Sequence, residues 1–209
     1  MTTVNPVTTP AIASAPGDYG MSNLSPDAML DYCQIQLSGL DTQIDGDIKQ
    51  QESQLRQREA VQQAQTALEQ YGTTGPQSST DFQKCTQAID QAAASLPPGD
   101  PVAAQLEAFK NNISSQYGFD PNKVGQPEFK LLGLAIGDAG LTNKPQNNDW
   151  QGTTDALGNI ADNIKSGAEI QMLQLQDLVS QRQQAVQLAS GIMSKEDQTL
   201  EGIAKSIGG

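Results

Sequence analysis

Between Met172 and Ile207 an apolar residue stands at every seventh position: Met172, Val179, Val186, Met193, Leu200 and Ile207. The positions offset by three are Leu175, Arg182, Ala189, Glu196 and Ile203. A 3-4 alternation of this kind draws a narrow apolar stripe down one side of a helix, and such a stripe is covered by another helix rather than by a broad core. The C-terminal segment is therefore expected to pack lengthwise on a helical partner, with Met172, Leu175, Val179, Val186, Ala189, Met193, Leu200, Ile203 and Ile207 at the contact.

A partner segment lies near the other end of the chain. Ser25-Pro26-Asp27 is a helix start: serine suits the N-cap, proline the first turn, and aspartate the positive end of the helix dipole. From there Leu30, Cys33, Leu37, Leu40, Ile44 and Ile48 follow at spacings of three and four, and the stripe continues less regularly through Leu55, Val61, Ala64, Leu68 and Tyr71. One helix from Pro26 to Tyr71, closed by Gly72, would be on the order of 65–70 Å long. Gly39 and Gly46 fall inside it, each costing about 1 kcal/mol relative to alanine, so a bend there is compatible with the pattern.

The intervening block is richer in Pro and Phe. Gly72–Thr80 reads as loop, Asp81–Leu96 as a short helix stopped by Pro97-Pro98-Gly99, and Asp100-Pro101 as the start of a further helix to Tyr117 with Val102, Leu106, Phe109 and Ile113 on one face. Gly118–Gln126 reads as a link, Pro127–Asp138 as a short apolar helix, and Gly140–Asp149 as loop leading to a last helix, Trp150–Ile207. Near Gly167 the apolar phase slips, a discontinuity that coiled coils absorb by local changes in winding. The fold expected is all-α: an elongated antiparallel coiled coil of two long terminal helices with a small, mostly helical middle insertion. The divisions expected are 1–24, a disordered export leader; 25–71, the N-terminal coiled-coil helix; 72–149, the insertion of short helices and loops; and 150–209, the C-terminal coiled-coil helix.

Composition agrees with a thin seam. Aromatics make up 4% and hydrophobics 36% of the 209 residues, which argues against a large core. The net charge of −12 repels phosphate backbones and anionic membranes, so no nucleic-acid partner is expected. The most apolar run, Leu131–Ile136, is far too short to span a bilayer. Histidine is absent, which removes His-dependent nucleophilic catalysis and the commonest transition-metal ligand. No constellation of acid, base and nucleophile can be assembled, and neither an enzyme nor a cofactor is expected. Two cysteines, Cys33 and Cys85, are either small hydrophobes on helix faces or a single disulfide. Residues 1–17 hold no charge before Asp18 and lack the basic and apolar regions of a Sec signal, leaving a floppy terminus or a leader for another export route.

One stretch has partial calcium-loop spacing. Asp41, Asp45, Gly46, Ile48 and Glu52 stand at positions 1, 5, 6, 8 and 12 of an EF-hand frame, but Gln43 and Lys49 occupy the third and ninth, and Ile44 belongs to the helix stripe. Continuous helix is the reading preferred over a cation loop. Trp150, the one tryptophan, suits a packing anchor at a helix start better than a ligand platform. Glutamine is dense in QQESQLRQREAVQQAQ and QLQDLVSQRQQAVQ; it favours helix and either permits lateral packing of like subunits with less charge repulsion or forms a solvated face.

Three features together carry a resemblance. They are the Ser/Thr/Pro/Ala-rich leader before SPDAMLDYCQIQLSGLDTQI, the Gln-rich continuation, and the C-terminal helix EIQMLQLQDLVSQRQQAVQLASGIMSKEDQTLEGIAKSIG. In these the chain resembles the secreted hydrophilic proteins of bacterial type III secretion systems, the needle-tip proteins and the EspA/SseB filament-type translocators. The resemblance covers the two terminal helices, about half the chain. It implies a secreted structural component at the bacterial surface, paired terminal helices, self-association or binding to needle and translocon subunits, and a cytosolic secretion chaperone before export. It also implies no transmembrane insertion by the chain itself. The alternatives are a cytosolic coiled-coil chaperone or adaptor, and a single EF-hand-like calcium module.

Overall fold

The computed structural model describes residues 25–132, 134–146 and 149–207; the expected leader, 1–24, lies outside them. Helix α1 is Pro26–Glu69, α2 Ser79–Ala94, α3 Pro101–Gln116 and α4 Asp149–Ile207, with one hairpin, β1 Phe129–Leu131 and β2 Leu134–Ile136, between α3 and α4. The protein is mostly helical, and α4 packs on α1. Its described residues divide into two compact units, one within residues 44–177 and the other formed by residues 25–43 together with 178–207. The compact unit of 44–177 thus takes in parts of both long helices, beyond the expected 72–149 insertion.

Local chemistry accounts for the helix starts. Ser25 Oγ accepts from the Ala28 N–H at 3.2 Å, and Pro26 follows at the first turn. Ser78 caps α2 by accepting from the Asp81 N–H at 3.1 Å, while its hydroxyl donates to the Asp81 carboxylate at 2.9 Å. Asp100 caps α3 by accepting from the Val102 N–H at 2.8 Å, and Gln57 Nε2 of α1 donates to both of its carboxylate oxygens. Gly39 and Gly46 are carried through α1 with open space where a Cβ would stand.

The core belongs to the 44–177 unit. Val61, Ala64 and Leu68 of α1 meet Phe82, Cys85 and Ile89 of α2, Leu106 and Ile113 of α3, and Trp150 and Leu157 of α4. Trp150 is fully buried; its indole N–H donates to the Leu68 carbonyl at 3.0 Å, and its ring lies within 6.2 Å of Phe82 and 5.8 Å of Tyr117. It is the packing anchor at the start of α4, next to Gly75, where a Cβ would stand 2.7 Å from the indole. The Cys33 and Cys85 thiols are both buried and free. Burial pushes the Cys85 thiol up to about 12, so it stays protonated and behaves as a small hydrophobe.

One expected helix is a hairpin instead. In Pro127–Asp138 the apolar residues run together with no polar face for a helix to turn to water, and Gly133 interrupts them. The chain resolves this as two three-residue strands, pairing Phe129 with Ile136 and Leu131 with Leu134. Its base is tied down: the Ala139 N–H donates to the Gln126 carbonyl at 2.9 Å, and the Asp138 carboxylate accepts from the Ser79 and Gly140 N–H groups. Burial works to raise the Asp138 carboxyl, but the hydrogen bonds from Ser79 and Gly140 outweigh it and hold it below the usual carboxylate range.

Candidate interaction surface

In the unit containing residues 178–207, α1 and α4 run in opposite directions. Pro26 and Met29 lie beside Leu188, Ile192 and Leu200, whereas Gln36, Leu40 and Gln43 lie beside Gln181, Gln184 and Ala185. Arg182 Nε donates to Asp41 at 2.6 Å, but both side chains are about half exposed and the ion pair contributes little, about 0–1 kcal/mol. On α1 the covered row is Leu30, Cys33, Leu37 and Leu40. On α4 it is Leu178, Ala185, Ala189, Ile192 and Glu196, all half-buried. Alanines at 185 and 189 let the two backbones approach without a large side chain between them.

The unbroken heptad is the neighbouring row. Val179 is 39% exposed, Val186 40%, Met193 57% and Leu200 58%, and Ile203 and Ile207 are exposed as well. Within the single chain these six flank the helix–helix seam instead of filling it. Ala189 alone among the expected contact residues of this stretch lies in the covered row. A groove of about 600 Å³ runs between the two helices here, and Leu200 lines it with Met29, Leu188 and Ile192.

Within the 44–177 unit the α1–α4 contact has a polar character. Its covered row on α1 is Ile44, Asp47, Gln51, Gln54 and Arg58, followed by Val61. Ile48 and Leu55, expected in the stripe, are exposed because the strict 3-4 spacing from Leu30 leads to Asp47 and Gln54 instead. Opposite lie Ile164, Gln171 and the half-buried Leu175. The Gln51 Nε2, Gln54 Oε1 and Gln171 Oε1 atoms are buried without a hydrogen-bond partner, so this stretch is the polar part of the seam. Ile48 and Leu55 come together with the exposed Met172 along a groove of about 440 Å³.

The Asp41–Glu52 stretch is helix throughout. A cation loop needs the backbone to wrap round the ion so that side-chain and carbonyl oxygens converge, whereas a straight helix strings Asp41, Asp45 and Glu52 over about 16 Å of its axis; Lys49 Nζ instead pairs with Asp45 at 2.7 Å. Among the described residues no three Cys, Asp or Glu side chains form a metal-ligand group, and no helix is long and apolar enough to cross a membrane.

Comparison with protein-family profiles, with curated proteins and with solved structures finds no match. The surface must therefore be interpreted from its own chemistry. A row of valine, methionine, leucine and isoleucine over residues 179–207 spans about 42 Å of helix, with glutamine and serine between its positions and most of the charged residues, Lys195, Glu196, Asp197, Glu201 and Lys205, towards its C-terminal end. Such a row offers apolar area for lengthwise packing and no group for chemistry on a substrate. The heptad signal was plain in the sequence. The covered row was harder to find there, because the small Ala185 and Ala189 and the charged Glu196 dilute its apolar character.

Proposed function

We propose that this chain is a structural assembly protein, a secreted component of a type III secretion apparatus acting at the needle tip or in an extracellular filament, and that it is not an enzyme. The observation that carries the proposal is the Val179–Ile207 row, regular as a coiled-coil position and half exposed in the single chain. The covered row holds α4 on α1, while the heptad row is available to a second helix, giving α4 two partners on adjacent sides. Coiled-coil packing of the heptad row against another subunit, or against a secretion chaperone before export, is the mechanism. A chain held together partly by a thin helical seam also unfolds more readily for passage through a narrow channel than one with a thick core throughout. The secretory part of the proposal rests on the resemblance of the two terminal helices to the tip and filament proteins.

The test is fractionation of cultures of the source bacterium with and without the secretion ATPase. The protein is expected in the supernatant of the intact strain and in the cell pellet of the ATPase-deficient one. Retention in the pellet of both strains would instead favour a cytosolic adaptor, and release that ignores the ATPase would refute the assignment to this machinery.

A further inference from the structure

The hairpin between α3 and α4 is the least expected surface of the 44–177 unit. Cross-strand partners share a face, so Phe129, Ile136, Leu131 and Leu134 all stand on one side of the ribbon. All four are exposed. At the tip, Leu132 is 95% exposed and has φ +52°. Left-handed backbone is disfavoured for a bulky side chain, and turns of this kind ordinarily use glycine, asparagine or aspartate. A leucine at this position lowers the stability of the turn in water and gains no contact inside the protein. Its side chain is accounted for only by something outside.

We propose that the Phe129–Ile136 hairpin is a lipid-interface finger that seats Leu132 and the four apolar side chains behind it in the headgroup region of a zwitterionic, phosphatidylcholine-type bilayer.

Three observations favour this occupant. The apolar side chains stand along a two-stranded ribbon tied down at its base by Asp138, Ser79 and the Ala139–Gln126 hydrogen bond, and Phe129, Leu131, Leu132, Leu134 and Ile136 are all exposed. An exposed ribbon face with an apolar tip suits a yielding surface. The hairpin is also small. A stable interface with a second copy takes about 20–30 residues a side, and strands of three residues offer only a short edge for pairing. The local charge is balanced: over residues 119–146, Lys123, Lys130 and Lys144 match Asp120, Glu128 and Asp138, so the whole excess of 12 negative charges lies elsewhere in the chain. An uncharged approach of this kind fits a zwitterionic surface, and the acidic remainder is repelled by an anionic one. Insertion needs no spanning helix, because amphipathic elements bind by burying an apolar face about 5–10 Å into the headgroup boundary.

The experiment is flotation of the full chain with phosphatidylcholine vesicles, alongside the variants Leu132→Asn and Phe129→Ser/Leu134→Ser. Asparagine tolerates the left-handed turn, so Leu132→Asn keeps the hairpin and removes the apolar tip. The wild type is expected to float with the vesicles. Leu132→Asn is expected to bind at least about tenfold more weakly with an unchanged helical circular dichroism spectrum, and the double variant more weakly still. Adding phosphatidylserine to the vesicles is expected to reduce wild-type binding. The proposal is overturned if the wild type does not float, if Leu132→Asn floats equally well, or if binding requires phosphatidylserine. It is also overturned if, without lipid, Leu132→Asn abolishes self-association of the wild type, which would make the hairpin a contact between copies.

Discussion

Single side chains carry much of the stability of the 44–177 unit. Trp150 fills the junction between α2 and the tyrosine at the end of α3, and supplies the donor for the Leu68 carbonyl. Trp150→Ala removes the ring and leaves that acceptor unpaired; it is expected to lower stability by about 3–5 kcal/mol, measured by urea denaturation followed at 222 nm. A loss under about 1 kcal/mol would contradict the anchor role. Three carboxylates in this unit are held below their usual range. Asp81 is lowered by hydrogen bonds from Lys84 and Ser78, and Asp120 by the Asn122 N–H. In Asp138 the bonds from Ser79 and Gly140 prevail over burial. A depressed folded-state pKa contributes stability that is complete above the unfolded carboxyl range and is lost as pH falls through the folded values. Thermal melts are therefore expected to keep Tm nearly constant from pH 7 to about 4.5 and to lower it steadily below about pH 4. A Tm that stays constant to pH 2.5 would show that these bonds add nothing.

At the level of elements, the long helices were legible because their signals are redundant. Ser25-Pro26-Asp27 marks the start of α1, and Asp149 opens α4, whose apolar positions continue over many turns. Asp100 made the start of α3 similarly readable, whereas α2 begins at Ser79 under the Ser78 cap, two residues before the expected Asp81. The hairpin was not legible, since a short apolar run has no periodicity with which to separate strand from helix. The inward row of α4 was obscured for another reason. Both candidate rows contain apolar residues, and the covered one includes Ala185, Ala189 and Glu196, so counting hydrophobes selects its neighbour. The difference can be measured. Ile192→Asp, in the covered row, is expected to lower stability by about 2–4 kcal/mol, read as a loss of helical signal and a lower melting temperature. Val186→Asp, in the half-exposed row, is expected to change stability by less than about 1 kcal/mol. Equal losses in the two variants would mean that the rows are not distinguished within the chain.

For the whole molecule, charge sets the conditions under which copies meet. With 24 acidic and 12 basic residues and no histidine, the chain is strongly negative at neutral pH. Like-charged copies repel over a Debye length of about 30 Å at 0.01 M salt and about 8 Å at 0.15 M. Association through an apolar row is therefore expected to strengthen as salt is raised from 10 to 150 mM, on the order of tenfold in Kd, as read by light scattering. Weakening with salt would mean that ion pairs, not the apolar row, join the copies.

The half-exposed Val179–Ile207 row is proposed to join α4 to another helix. Sedimentation velocity of the wild type, Val186→Asp and Met193→Asp over a wide concentration range, with helicity monitored in parallel, tests it most directly. The wild type is expected to shift to larger species as concentration rises, while both variants keep their helical content and remain monomeric. Association of the two variants at the same concentrations as the wild type would contradict the claim, as would a wild type that stays monomeric throughout.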